Sequence, residues 1–129
     1  KIYNTNNQIS PYFIANLLWY PAFEILFSLI RKLRSRLSPM DPDIMHLHQL
    51  IFYFYKQKLN LKIYLLNSLT GISINIYNTF VIYLCCLNLS NTKIQILYLI
   101  LSVSIYFFCY IYFLKFKRSF KNKKFNHWK

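Results

Sequence analysis

Three long apolar runs constrain what this chain can fold into more than any other feature of its sequence. They cover residues 9–30, 65–87 and 94–114. A helix needs about 20 predominantly apolar residues to cross the hydrocarbon of a bilayer, and each run meets that length. Runs this long favour helices over buried strands, in spite of the abundant Ile, Phe and Tyr. The first contains Pro21, which is expected to kink it, and a single charge, Glu24. The second is diluted by Asn67, Asn75 and Asn78, whereas the third is uninterrupted. The expectation is an all-α, polytopic membrane protein forming one membrane domain, with about three transmembrane helices and one structured cytoplasmic loop.

Composition agrees with that reading. The chain has 129 residues, 56% of them hydrophobic, with 16 Lys and Arg against 3 Asp and Glu, and a single Gly. A soluble domain normally carries more carboxylates and more glycine. So basic a balance suggests nucleic acid or a membrane surface as partner, and the placement of the bases decides between them. Arg31, Lys32, Arg34, Arg36, Lys56, Lys58 and Lys62 lie between the first and second runs. Lys115, Lys117, Arg118, Lys121, Lys123, Lys124 and Lys129 follow the third, which leaves Lys1 and Lys93 on the opposite side. By the positive-inside rule the loop 31–64 and the tail 115–129 are cytoplasmic, and 1–8 and 88–93 are external. The basic, aromatic tail is expected to lie on anionic lipid or to be disordered, and no nucleic-acid partner is expected. Cys85, Cys86 and Cys109 sit inside apolar runs and read as small packing residues. With Lys at position 1 and no signal-peptide pattern, the chain is expected to be a piece of a longer protein.

The loop holds most of the chemistry-bearing residues. In SPMDPDIMHLHQL, residues 38–50, stand Asp41, Asp43, His46 and His48. Asp41 before Pro42 fits a helix N-cap with proline at the first helical position, and Asp43 would complement the helix dipole from the first turn. Residues 44–61 lack Pro and Gly and are expected to form a helix at the interface. On a helix the rings of His46 and His48 would point about 200° apart, which disfavours a shared metal ion. Imidazoles beside a basic stretch and a helix N-terminus suit a phosphate better, although two polar residues in a solvated loop would look the same. Glu24 is an ionisable group inside a span and therefore a functional candidate. It either faces a cytoplasmic cavity or pairs with Arg31 or another nearby base.

The segment 18–50, LWYPAFEILFSLIRKLRSRLSPMDPDIMHLHQL, resembles a signature of the integral-membrane polyprenyl-phosphate N-acetylhexosamine-1-phosphate transferases, the MraY/WecA-like glycosyl transferase family 4. In that family a P-x-F-[DE] span leads through a basic segment to S-P-x-x-P-D-x-x-H-[IL]-H-[HQ]. The matching positions here are Pro21, Phe23, Glu24, Ser38, Pro39, Pro42, Asp43, His46, Leu47, His48 and Gln49. The other two spans match only in hydropathy and topology.

The resemblance implies transfer of a sugar 1-phosphate from a UDP-N-acetylhexosamine to polyprenyl (undecaprenyl) phosphate with release of UMP, at the cytoplasmic face of the inner membrane. Such a step initiates cell-envelope polysaccharide or O-antigen synthesis, and the loop is closer to that branch than to the muropeptide-precursor branch. His46 and His48 would contact the nucleotide-sugar phosphates, Asp43 would orient one of them, and Gln49 stands where many members carry a further His. Mg²⁺ is the implied cofactor, held by acidic motifs in earlier loops. Those motifs are not in this sequence, so the chain is expected to be a C-terminal portion that is inactive alone. The resemblance leaves a homodimer open. The reading from another class is a small non-enzymatic membrane protein whose basic loops bind anionic lipid.

Overall fold

The computed structural model describes residues 9–126 except 37, 39, 41 and 44, with side chains described through Phe120. Among the described residues four helices and no strand are present: α1 (Pro11–Arg34), α2 (Leu47–Lys58), α3 (Ile63–Cys86) and α4 (Thr92–Asn126). Helices α1, α3 and the Thr92–Phe120 part of α4 are each long and apolar enough to cross a membrane. Helix α2, with 12 residues, is too short.

Local chemistry accounts for the helix ends. Ser10 caps α1, its hydroxyl accepting from the Tyr12 amide at 3.3 Å, and Pro11 occupies the first turn, where no N–H is needed. Pro21 lies within α1 without ending it. Arg31, Lys32 and Arg34 fill the last turn, where cations oppose the negative end of the helix dipole. Arg36 then takes a left-handed conformation, φ 55°, in the place where glycine usually closes a helix.

Two differences from the sequence expectation stand out. Helix α2 begins at Leu47 with His46 as its N-cap residue, rather than near position 42; the expected cap at Asp41 lies outside the described residues. The Asp43 carboxylate accepts the Met45 amide at 2.9 Å, which closes a local turn and delays the helix. Helix α4 continues through Asn126, well into the segment expected to be a surface or disordered tail. That stretch contains no Pro or Gly and is rich in Lys, a good helix former, so nothing in it stops the helix.

Antiparallel α3 runs beside parallel α1 and α4. At one end the Ser10 amide donates to the Leu89 carbonyl at 2.9 Å, and Thr92 donates to the Ser10 hydroxyl at 3.1 Å. At the other, Arg31 reaches the Tyr110 hydroxyl at 3.0 Å. Aromatic edges and faces fill the α1–α4 seam. Phe23 meets Tyr106 at 5.0 Å and Phe27 meets Tyr110 at 4.9 Å, both T-shaped. Such pairs add about 0.5–1.5 kcal/mol each beyond area burial. Helix α2 wedges in where α1 ends, burying Leu47, Leu50 and Ile51. Tyr55 and Ser73 hydroxyls join it to α3 at 2.9 Å, and Phe54 packs on Phe113 and Phe116 of α4. Only 22%, 17% and 17% of the three spanning windows are buried inside the bundle, so most of their apolar surface is left for lipid.

Near the Ser10 end two fully buried amides lock the three spans together. Asn16 of α1 donates to the Gln95 carbonyl at 3.0 Å and to its side-chain oxygen at 2.9 Å. The Gln95 amide nitrogen donates in turn to the carbonyls of Cys85 at 2.8 Å and Asn88 at 3.0 Å, at the end of α3. A buried carbonyl left without its donor costs about 1–3 kcal/mol. Gln95→Leu is therefore expected to destabilise the bundle by about that amount, read as a lower melting temperature in detergent, whereas Leu97→Ala on the exposed side is expected to leave it within about 0.5 kcal/mol.

Candidate functional site

Tyr20, Glu24, Ser28 and Arg31 follow one another at i, i+4, i+8 and i+11 and so share one face of α1. The loop after α1 folds back onto that face. Glu24, 7% exposed, is the centre. One carboxylate oxygen lies 2.7 Å from His46 Nδ1, and the other accepts the Leu47 backbone N–H at 2.9 Å. Tyr20 donates to that second oxygen at 3.4 Å, and the buried Tyr106 of α4 lies within electrostatic reach. A carboxylate can only accept, so Nδ1 of His46 carries the hydrogen in this contact.

One turn along, Asp43 accepts from the Ser28 hydroxyl and from the Arg31 guanidinium. His46 Nε2 stands 3.8 Å from the same Asp43 oxygen, so the imidazole lies between two carboxylates. Arg31 is also packed against rings, 5.5 Å from the Phe27 centroid and 5.7 Å from Tyr110. Burial on its own would raise the Asp43 pKa. The hydrogen bonds from Ser28 and the Met45 amide, with the charges of Arg31 and His46, outweigh it and hold the carboxyl below the ordinary carboxylate value.

His48 and Gln49 lie on the other side of the α2 start. The rings of His46 and His48 stack at 5.4 Å with 14° between their planes, because His46 precedes the helix and is not placed by its periodicity. His48 is exposed and, with Gln49, Phe52, Asn67, Gly71 and Ile74, lines a cleft of about 450 Å³ between α2 and α3. The cleft is open at Gly71, where an added Cβ would meet nothing within 4 Å. Inside, the Gln49 side-chain oxygen is buried without a hydrogen-bond partner.

The six residues singled out by sequence therefore divide. Glu24, Asp43 and His46 come together; His48 and Gln49 face the cleft; Asp41 lies outside the described residues. Glu24 takes His46 as its partner and Arg31 takes Asp43, rather than Glu24 pairing with Arg31. Sequence reasoning missed Ser28, Tyr20 and Tyr110, although the four-residue spacing of 20, 24 and 28 was available as a signal. Asn67 and Gly71 carried no local signal, since α3 reaches the cleft only through packing.

The carboxylates present do not fit a Mg²⁺ site. Glu24 and Asp43 are both committed to donors, and a guanidinium sits on Asp43 where a second cation would have to go. Among the described residues no group of three or more His, Cys, Asp or Glu is arranged to hold a metal ion.

Fold and site together define an α-helical membrane protein with a short helix docked at one end of the bundle by a buried acid–histidine network. Comparison with known protein families, with curated proteins and with solved structures finds no match for this chain.

The lowered Asp43 pKa has a directional consequence. A carboxyl with a depressed folded pKa stabilises the fold fully above its unfolded value, and that contribution is lost as pH falls through the lower folded value. The docking of the loop on α1 is expected to hold at neutral pH and to loosen as pH falls below about 4. Thermal unfolding at neutral and acid pH checks this, and Asp43→Asn, already loosened at neutral pH, is expected to lose much of the acid dependence.

Proposed function

We propose that this chain carries the histidine-loop part of a membrane transferase that moves N-acetylhexosamine 1-phosphate from a UDP-sugar to polyprenyl phosphate, releasing UMP. The observation that carries the proposal is the meeting in space of the two halves of the resembled signature. The P-x-F-E face of α1 binds the D-x-x-H loop through Glu24–His46 and through Arg31 and Ser28 on Asp43. That arrangement leaves His48 and Gln49 on an open cleft. In this reading loop and tail are cytoplasmic in the inner membrane, and the magnesium centre is supplied by acidic segments outside this sequence.

The two histidines then have different tasks. Both ring nitrogens of His46 face carboxylates, which makes it a positioning residue. His48, exposed and stacked on His46, contacts the sugar-nucleotide phosphates, with Gln49 hydrogen-bonding beside it. An oxygen of the lipid phosphate attacks the phosphorus bearing the sugar, and the bond to the UMP oxygen breaks. Positioned donors stabilise the charge that moves onto UMP, because phosphoryl transfer depends on orientation and electrostatics rather than covalent help. Arg31 to Arg36 add a basic stretch near anionic substrates and lipid.

A second reading, a non-enzymatic protein that binds anionic lipid, draws on two contacts at the basic end. Lys58 lies 5.9 Å from the Phe116 ring centroid and Lys117 5.8 Å from that of Tyr53, an arrangement suited to an interface. Release of UMP by the full-length protein with Mg²⁺, a UDP-N-acetylhexosamine and polyprenyl phosphate separates the two. His48→Ala is expected to lower kcat about 10²–10³-fold, the cost of removing one preorganised donor. Glu24→Gln is expected to impair the reaction through His46. Full activity in His48→Ala would remove the phosphate-contact assignment, and absence of UMP release by the native protein would favour the lipid-binding reading.

A further inference from the structure

Close packing is interrupted where the four helices meet. A cavity of about 200 Å³ lies there, walled by Trp19 of α1, Leu47 and Ile51 of α2, Ile74 of α3, and Ile105 and Cys109 of α4. Packed interiors leave few voids larger than a water molecule, and a cavity of about 150 Å³ already takes a benzene ring. Left empty, a void of this size costs its walls the dispersion contacts of a filled core.

The walls define the kind of guest that fits. Nearly all the surface turned to the cavity is aliphatic carbon or aromatic ring. The Trp19 indole nitrogen and the Tyr106 hydroxyl belong to residues that border it, yet both atoms are buried within the walls. The hydroxyls of Tyr20, Ser73 and Tyr77 are engaged elsewhere, with Glu24 and with the Leu69 and Ser102 carbonyls. Water needs about two to four polar partners to stay in such a place, and the open surface offers almost none. The guest is therefore apolar.

The position of the cavity identifies the source. Trp19, Ile74 and Ile105 each lie within about one turn of the middle of the spans Pro11–Arg34, Ile63–Cys86 and Thr92–Phe120. At that depth a bilayer holds only hydrocarbon chain. Ile105 lines the cavity and is also exposed on the outer face of α4, so its side chain stands between the cavity and the surrounding lipid. We infer that the methyl end of a phospholipid acyl chain enters beside Ile105 and fills the cavity. Acyl chains are the solvent of the spans, which favours them by mass action. A lipid whose phosphate lies in the cleft is on the other side of α2: Leu47 and Ile51 wall the cavity, whereas His48, Gln49 and Phe52 line the cleft. A chain end in the cavity thus backs the helix that presents His48. The inference rests on the membrane position of the bundle and not on the transferase reading, so the two fail separately.

Trp19 supplies the readout. The chain has two tryptophans, so Trp128→Phe leaves Trp19 as the only indole. Trp19 is 4% exposed, and bromine quenches indole emission on near contact. The full chain carrying Trp128→Phe, in bilayers of phosphatidylcholine brominated near the methyl end of one acyl chain, is expected to show strong quenching of Trp19. Bromines near the carboxyl end of the chain are expected to quench little. Cys109→Leu and Ile105→Phe put side-chain carbon where the guest lies, and each is expected to lose most of the quenching. Circular dichroism checks that helix content is kept, and Ile105→Phe serves if Cys109→Leu alters it. Quenching undiminished in both filled variants would come from lipid outside the bundle and would overturn the inference. So would Trp19 emission typical of a wet indole, which would give the cavity to water. Loss of quenching on adding a small fraction of unbrominated polyprenyl phosphate would give it to an isoprenoid chain and would equally overturn the assignment.

Discussion

The carboxylate of Glu24 organises more of this molecule than any hydrophobic contact does. An acid within a spanning helix is costly unless fully partnered, and here two of the three partners come from outside its own helix. His46 and the Leu47 N–H approach from the loop, and Tyr20 approaches from one turn back on α1. The Leu47 contact has a particular consequence. Helix α2 has no acidic residue in its first turn and no side-chain cap on its N-terminus from His46. Its exposed N–H groups and positive dipole end are complemented instead by an acid carried on α1. One side chain thereby satisfies a buried charge, starts a helix and joins two elements. The direction in which His48 and Gln49 leave α2 follows from it.

This strongly basic chain has three acidic residues, Glu24, Asp41 and Asp43. Two of them stand within one network, and each takes a specific cationic or imidazole partner. Arg31 is held on three sides, by Asp43, by the Tyr110 hydroxyl and by the ring of Phe27. A guanidinium so fixed transmits the position of the loop to α4, so the loop is tied to two spans at once. Of the 16 Lys and Arg, seven stand at positions 115–129, away from this fixed guanidinium in sequence.

What the sequence disclosed follows from the range of the physics involved. Hydropathy sums over about 20 residues, so the spans at 9–30, 65–87 and 94–114 were legible and the all-helical fold with them. Glu24 was conspicuous because a lone charge in an apolar run needs an explanation. Its partner was not, since Arg31 is near in sequence but His46 is brought close only by the return of the loop. The start of α2 was misplaced because a Pro-preceding acid is a strong local cap signal, whereas the groups that set the boundary are an Asx turn at Asp43 and an acid from another helix. The stacking of His46 and His48 was hidden for the same reason: helical periodicity does not apply to a residue just before the helix. The residues of α3 that line the cleft required the packed bundle itself.

Polar demand in the finished bundle is distributed unevenly, and the unevenness is informative. The α1–α4 seam is filled with aromatic edges and faces, and within it the Trp19 indole nitrogen and the Tyr106 hydroxyl are buried without a hydrogen-bond partner. At the far end the Asn16–Gln95 pair absorbs the carbonyls of the α3–α4 turn. Further buried oxygens without a partner lie on Asn16 of α1, on Gln49 in the cleft and on Asn78 of α3. Neither hydrocarbon nor a packed aromatic seam offers such groups a partner, so each costs stability that the paired networks at the two ends of the bundle offset.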